Sequence, residues 1–232
     1  MIVRERTDSY VLIKQHDHAL ASGEFARHWA RRLRPFESTL FAIAHHDVAW
    51  RGPDARVRWN EETGCPYSFV DYPPEPKIEA YTEGLDWLQK RDPHAACLCS
   101  MHYQRLVRRF GSSDVEERFA DAESRRQARL RARMSEEELE NLGRNLELLK
   151  LCDGLSLLVC LEEPGEDGPP PYTGGLELDG EGYLPVWEDA STLRLAPNPF
   201  SGDFDLAIPY VCVGRDRRHL GSGKLELRVV TS

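Results

Sequence analysis

Residues 135–161 read SEEELENLGRNLELLKLCDGLSLLVCL, and the architecture turns on how this stretch is parsed. Ser135 with Glu138 three residues later forms a capping box, so a helix opens there. Leu139, Leu142, Leu146 and Leu149 recur at spacings of three and four, the period of one helix face. The next positions on that face are Asp153 and Ser156. A carboxylate on an apolar stripe is costly to bury alone, so Asp153 predicts a partner from elsewhere in the chain.

Towards the N-terminus the helical period continues. A second capping box, Ser113-Asp114-Val115-Glu116, opens a charged helix running to about Met134. Pro93 precedes a helix striped by Ala95, Leu98, His102 and Leu106, and Ile78, Tyr81, Leu85 and Leu88 mark another. Phe36 to about Trp50 carries Leu40, Ile43, Asp47 and Trp50 on one face. The first helix takes Asp17 as its cap, presents Ser22, Ala26, Trp29 and Leu33, and stops at Pro35. Between these helices, residues 51–76 break the pattern as a long loop rich in aromatics, among them Trp59, Tyr67, Phe69 and Tyr72. Such loops are functional or disordered, and the aromatic content speaks against disorder.

At both ends the period drops to two. Residues 1–15 alternate like a hairpin turning at Thr7-Asp8-Ser9, and Leu225, Leu227 and Val229 alternate with Glu226 and Arg228. A Pro/Gly run from Pro164 to Pro171 reads as a hinge or wrapping loop. The expectation is a mainly α fold: a helical bundle with a small β-sheet made by the N-terminal hairpin and the C-terminal tail. It forms a single domain over 1–232, with the hairpin at 1–15, a helical core at 16–161 and a β-rich appendage at 162–232.

Composition sets limits on function. The hydrophobic share of 41% and charged share of 30% are those of a globular protein able to build a core. No apolar run is long enough to span a bilayer, and the opening residues Met1 to Arg6 read as a strand rather than a signal region, which predicts a cytoplasmic protein without a membrane partner. The net charge of −9 argues against a nucleic-acid partner. Basic residues do cluster at Arg105–Arg109 and Arg125–Arg133, as a solvated helix face or, if that face looks onto a pocket, a phosphate-attracting rim. The six cysteines lack paired spacing and read as reduced, mostly buried thiols.

Chemistry is carried by polar residues where helices should be apolar: Asp47, His102 and Asp153, with His46 beside Asp47. Adjacent residues on a helix diverge by about 100°, so His46 and Asp47 can both reach an ion in the groove they straddle. Carboxylates and imidazoles converging from separate helices suit a divalent metal. His94 lies about 12 Å before His102 along one helix, too far to share an ion with it, and marks the helix start. His16 and His45 are spare candidates.

The order His, His-Asp, His, Asp resembles the HD superfamily of metal-dependent phosphohydrolases. The contexts Gln15-His16-Asp17-His18-Ala19, His45-His46-Asp47-Val48-Ala49-Trp50, Ser100-Met101-His102-Tyr103 and Cys152-Asp153-Gly154-Leu155 look closer still to a bacterial family called domain of unknown function 3891. The segment Gly64-Cys65-Pro66-Tyr67-Ser68-Phe69 looks like that family's shared loop. This resemblance implies an HD-type helical bundle with His18, His46, Asp47 and Asp153 as metal ligands. His102 would belong to a second metal or face the substrate, and His102 and Asp47 would act in catalysis. It implies one divalent ion, or two, of Fe, Mn, Zn or Mg, and a small-molecule substrate, in the first instance a phosphoester. Arg105 would counter phosphate charge, and Trp59, Tyr67 and Phe69 would wall the pocket. The alternatives are a mixed-valence di-iron oxygenase, needing about six ligands, and a non-enzymatic, metal-stabilised ligand-binding module.

Overall fold

In a computed structural model, which describes residues 1–31, 33–163, 165 and 176–232, the chain opens with a β hairpin. Its strands are β1 (Ile2–Glu5) and β2 (Ser9–Ile13). Arg6 N–H donates to the Ser9 carbonyl at 2.8 Å to close the turn. Six helices follow: α1 (Gln15–Arg27), α2 (Phe36–His45), α3 (Pro74–Gln89), α4 (Pro93–Phe110), α5 (Asp114–Arg131) and α6 (Glu136–Leu161). Strands β3 (Glu177–Leu178) and β4 (Glu181–Gly182) pair with each other. The chain ends with β5 (Leu184–Asp189), β6 (Thr192–Ala196), β7 (Phe204–Gly214) and β8 (His219–Val230).

The sheet corrects the mainly α expectation of a helical bundle with a small β-sheet. Helix accounts for 49% and strand for 23% of the described residues, and six strands curl into a half-barrel in the order β1-β2-β7-β8-β6-β5. The tail does join the hairpin, through the antiparallel β2–β7 pair with Tyr10 opposite Val213 and Leu12 opposite Val211. What the alternation of Leu225 to Val229 concealed was length, since β7 and β8 run to 11 and 12 residues. Pro209 sits inside β7, and Gly221 and Gly223 sit inside β8; residues of both types weaken a strand signal. The register Phe204–Val229, Leu206–Leu227 and Ile208–Leu225 stacks buried side chains on the helix-facing side. They merge with Phe25, Ile43, Leu98 and Leu155 into one apolar core.

Helix ends also differ from the sequence reading. α1 starts at Gln15 with Lys14, not Asp17, at the N-cap, and it ends at Arg27, well before Pro35. α2 stops at His45, and residues Val48–Arg51 tighten into a 3-10 turn in which Trp50 N–H donates to the Asp47 carbonyl. Asp47 is therefore a linker residue between two helical segments. On α6, Leu139 is exposed and the buried face runs instead through Leu142, Asn145, Leu149, Cys152, Leu155 and Ser156. Residues 51–76 contain a second 3-10 turn at Pro53–Ala55 and an antiparallel bridge from Trp59 to Pro66. The Pro/Gly run lies outside the described residues except for Gly165. Cys97, Cys99, Cys152 and Cys160 are buried free thiols. No helix among the described residues is long and apolar enough to cross a membrane.

A close approach sets two of the helices that carry the polar residues. A Cβ on Gly23 would lie 2.6 Å from the Ala44 Cβ, so α1 and α2 touch backbone to side chain beside His46. Both anticipated capping boxes are present. In that of α5, Glu116 also accepts from Lys77 on α3 at 2.8 Å. Burial opposes its charge, but Lys77, Ser113 and the Ser112 N–H outweigh burial and bring Glu116 down to about 2 from 4.5. A depressed folded-state pKa stabilises fully above the ordinary value, and that contribution fades as pH falls through the window from 4.5 to about 2. Glu116→Gln is expected to cost about 2 kcal/mol at neutral pH. The gap should close at the acid end of that window, as read from denaturant midpoints at both pH values.

Candidate metal centre

Four helices and the linker after α2 deliver the five anticipated side chains to one place. His18 comes from the first turn of α1, His46 from the residue that ends α2, Asp47 from the linker, His102 from the middle of α4 and Asp153 from α6. His18 and His46 are fully buried, and His102 and Asp47 nearly so. The Asp153 side chain keeps 16% of its surface, which makes it the most open of the five. His18 Nε2 lies 3.0 Å from Asp47 Oδ2 and 3.8 Å from Asp153 Oδ1. His46 Nε2 lies 3.3 Å from Asp153 Oδ1 and 3.8 Å from Asp47 Oδ2, and His102 Nε2 lies 3.7 Å from Asp153 Oδ2. The His46 ring meets the His18 and His102 rings edge to face at 5.2 and 5.4 Å.

Protons decide what this geometry can hold. His46 Nδ1 is 2.8 Å from the Ile43 carbonyl, which can only accept, so Nδ1 carries a hydrogen. Nε2 of the same ring is buried, lacks a hydrogen-bond partner, and faces two carboxylates. As a lone pair it would be repelled by them, so a cation has to stand there, either a proton on Nε2 or a metal ion. In the metal-free chain the proton fills that role. Burial alone would lower the His46 imidazole, but Asp47 and Asp153 push it up to about 9. Burial likewise opposes the Asp153 charge, yet His46, His102 and His18 hold that carboxyl well below the usual carboxylate range. The C-terminal end of α2 adds a negative dipole end beside His46, which again favours a cation.

The His18 ring is oriented from behind. Its Nδ1 lies 2.7 Å from Ser156 Oγ, which is 2.7 Å from Ser22 Oγ and donates to the Asp153 carbonyl at 3.0 Å. With the Ser156 proton on that carbonyl, Oγ accepts from His18 Nδ1–H, so a metal that displaced the Nε2 contact with Asp47 at 3.0 Å would meet the lone pair that a ligand needs. The partnership of Ser22 and Ser156 with His18 was missed in the sequence. The signal was present: Ser22 follows His18 by four residues and Ser156 follows Asp153 by three, each one helical turn away.

His102 differs from the other imidazoles. Burial, the largest cause, brings it down to about 4, so it is neutral at physiological pH, and its Nδ1 is buried without a partner. Arg105, one turn on, is exposed and close enough for its charge to act on His102. Beneath Asp47 the Tyr81 and Tyr103 rings stack at 4.0 Å, and burial together with the Asp47 charge pushes both phenols up.

Not every candidate arrives. Trp59 packs edge-on to Tyr10 at 5.9 Å and under Arg217 at 5.0 Å, in a second apolar cluster on the sheet. Tyr67 contacts Tyr72, which contacts Trp50, and Phe69 packs partly buried against the main core. The ring contacts of these three aromatics run to the scaffold rather than to the His/Asp cluster. His16 Nε2 accepts from Arg51 at 2.7 Å, and the His16 ring meets His45 at 5.6 Å, so these two form a layer of their own. His94 is buried at the start of α4, with Glu138 at 3.7 Å.

Fold and site together define the class: a half-barrel sheet packed on helices, with two triads, His18-His46-Asp47 and His46-His102-Asp153, that could hold a metal ion. Within each triad the ligand atoms lie within 4.8 Å of one another. The chain belongs to the family described as Protein of unknown function (DUF3891), whose profile matches residues 1–215. No curated protein and no solved structure matches it.

Proposed function

We propose that the chain is a metal-dependent hydrolase of a small phosphoester, with His18, His46, Asp47 and Asp153 as metal ligands. The observation that carries this reading is the unpartnered, fully buried His46 Nε2 facing Asp47 and Asp153. Such an atom suits a divalent ion, and imidazole with carboxylate fits Zn, Fe or Mn better than Mg. A divalent ion supplies Lewis acidity towards a phosphoryl oxygen and makes water a competent nucleophile near neutral pH.

The chain's own groups do the rest. His102, neutral and at the edge of the cluster, either completes the ligand set through its lone pair or holds the substrate by a hydrogen bond from its one N–H. Asp47, beside His18, orients the nucleophile, and Arg105 meets phosphate charge one turn from His102. Asp153, the least buried of the five, marks the side from which substrate enters. The ordered His, His-Asp, His, Asp pattern, similar to that of HD-superfamily phosphohydrolases, supports the choice of phosphoester hydrolysis over other metal chemistry by analogy. The di-iron oxygenase alternative calls for about six ligands, and five His/Asp side chains converge among the described residues, so no specific observation favours it.

The test is metal analysis of the purified protein, followed by assay of an aryl phosphate with Mn, Fe, Zn or Mg supplied in turn. We expect close to one ion per chain and metal-dependent release of phosphate. Bound metal without turnover of any phosphoester would remove the hydrolase and leave a metal-stabilised module.

A further inference from the structure

Beyond His102, α4 leads to a surface pocket of about 400 Å³ lined by Met101, Gln104, Arg105, Arg108 and Arg109. All three arginines are exposed, and none pairs with a carboxylate among the described residues. Arg108 donates to Ser124 at 3.2 Å, and Arg109 lies over the Phe110 ring at 5.2 Å. Arg126 on the neighbouring helix shows the usual alternative, meeting Asp86 at 2.7 Å and Glu123 at 3.0 Å. The whole α4–α5 hairpin is biased in the same direction. Residues 101–134 hold nine arginines against five carboxylates, in a chain whose net charge is −9.

A merely solvated helix face spreads its cations or pairs them; here three guanidinium groups share one concavity and repel one another. Guanidinium forks match phosphate oxygens in bidentate pairs. Their position fits a ligand that also reaches the His/Asp centre. At the helical rise, Arg105 lies about 4.5 Å and Arg109 about 10 Å beyond His102 along the α4 axis. That is the reach of a small molecule with an anionic group at each end.

We propose that this pocket is a second phosphate subsite, and that the substrate carries two phosphate groups. One is the reacting phosphoester at the His/Asp centre, which Arg105 meets from the near end of the pocket; the other is held by Arg108 and Arg109. The proposal rests on the phosphohydrolase reading and narrows its substrate to bisphosphorylated small molecules.

Calorimetric titration of the protein as purified tests it with two probes, a hexose bisphosphate and the hexose monophosphate that lacks one of its phosphates. The bisphosphate should bind at least about tenfold tighter, as expected for one added charge-assisted contact. In Arg108→Gln/Arg109→Gln the two probes should bind within about twofold of each other, with metal content unchanged. Equal affinity of the native protein for both probes, binding of neither, or an undiminished preference in the double variant overturns the subsite. If metal and phosphoester turnover are present without that preference, the subsite falls and the hydrolase stands. If no metal is held yet the arginine-dependent preference persists, the hydrolase falls and the subsite stands.

Discussion

Asp153→Asn should empty the metal centre while leaving the fold in place. Asp153 is within 3.3 to 3.8 Å of His46, His18 and His102, and among the described residues it is the one carboxylate shared by all three imidazoles. Amidation keeps its shape and removes its charge, so the cluster retains only Asp47 against the incoming ion. Metal affinity is expected to fall by more than about a hundredfold, beyond what loss of a supporting hydrogen bond produces. Turnover should fall with it. The fold should survive because His46 can release its proton once one of the two carboxylates that raise its pKa is gone. The loss of stability in the metal-free protein should therefore stay below the roughly 3–5 kcal/mol of a broken buried ion pair. Metal content, phosphoester assay and denaturant unfolding on one preparation decide the matter. A full-sized loss of stability, with no activity in either native or variant protein, would make the cluster a structural device.

Ser156→Ala should be nearly as severe for metal while touching no ligand atom. The hydroxyl sits between His18 Nδ1, Ser22 Oγ and the Asp153 carbonyl, all within 3.0 Å. Without it His18 Nδ1–H is buried unsatisfied, a penalty of about 1–3 kcal/mol. The ring is then better served by moving its proton to Nε2, where Asp47 waits at 3.0 Å. A proton on Nε2 excludes a metal from that nitrogen. Metal affinity should drop about 10–100-fold, and nitrogen NMR should show the His18 tautomer switched. Ser156→Thr keeps the hydroxyl and should recover the native tautomer even if packing suffers. A merely structural role would lower stability in both variants and leave the tautomer unchanged.

The site was more legible in the sequence than the sheet was. Asp47, His102 and Asp153 stood out because each interrupts an apolar period, and a costly exception in a regular pattern survives errors in helix ends. Asp47 lies after α2 rather than within it, at the N-cap of the 3-10 turn, and from there still comes within 3.0 Å of His18. The six-stranded sheet left a fainter trace. Its short strands β1, β2 and β6 carry few alternations each, and the two long strands contain Pro209, Gly221 and Gly223. The loop aromatics misled for another reason: Trp59 and Tyr72 are as well suited to covering a sheet or Trp50 as to lining a pocket, and composition cannot separate the two uses. Ser22 and Ser156 were placed on their helix faces, but their role behind His18 escaped notice because small hydroxyls fit such a face without breaking its pattern.

The β2–β7 pairing has a consequence for how the molecule comes into being. Tyr10 and Val213 are neighbours in the sheet yet separated by about two hundred residues of chain. During synthesis the first hairpin leaves the ribosome with one edge unpaired, and it waits for almost the entire polypeptide before its partner emerges. Contacts of such long range slow folding, and an open apolar edge invites association with other chains meanwhile. Refolding yield should therefore fall with concentration more steeply than for a helical protein of equal size, and truncation before residue 204 should leave that edge permanently uncovered.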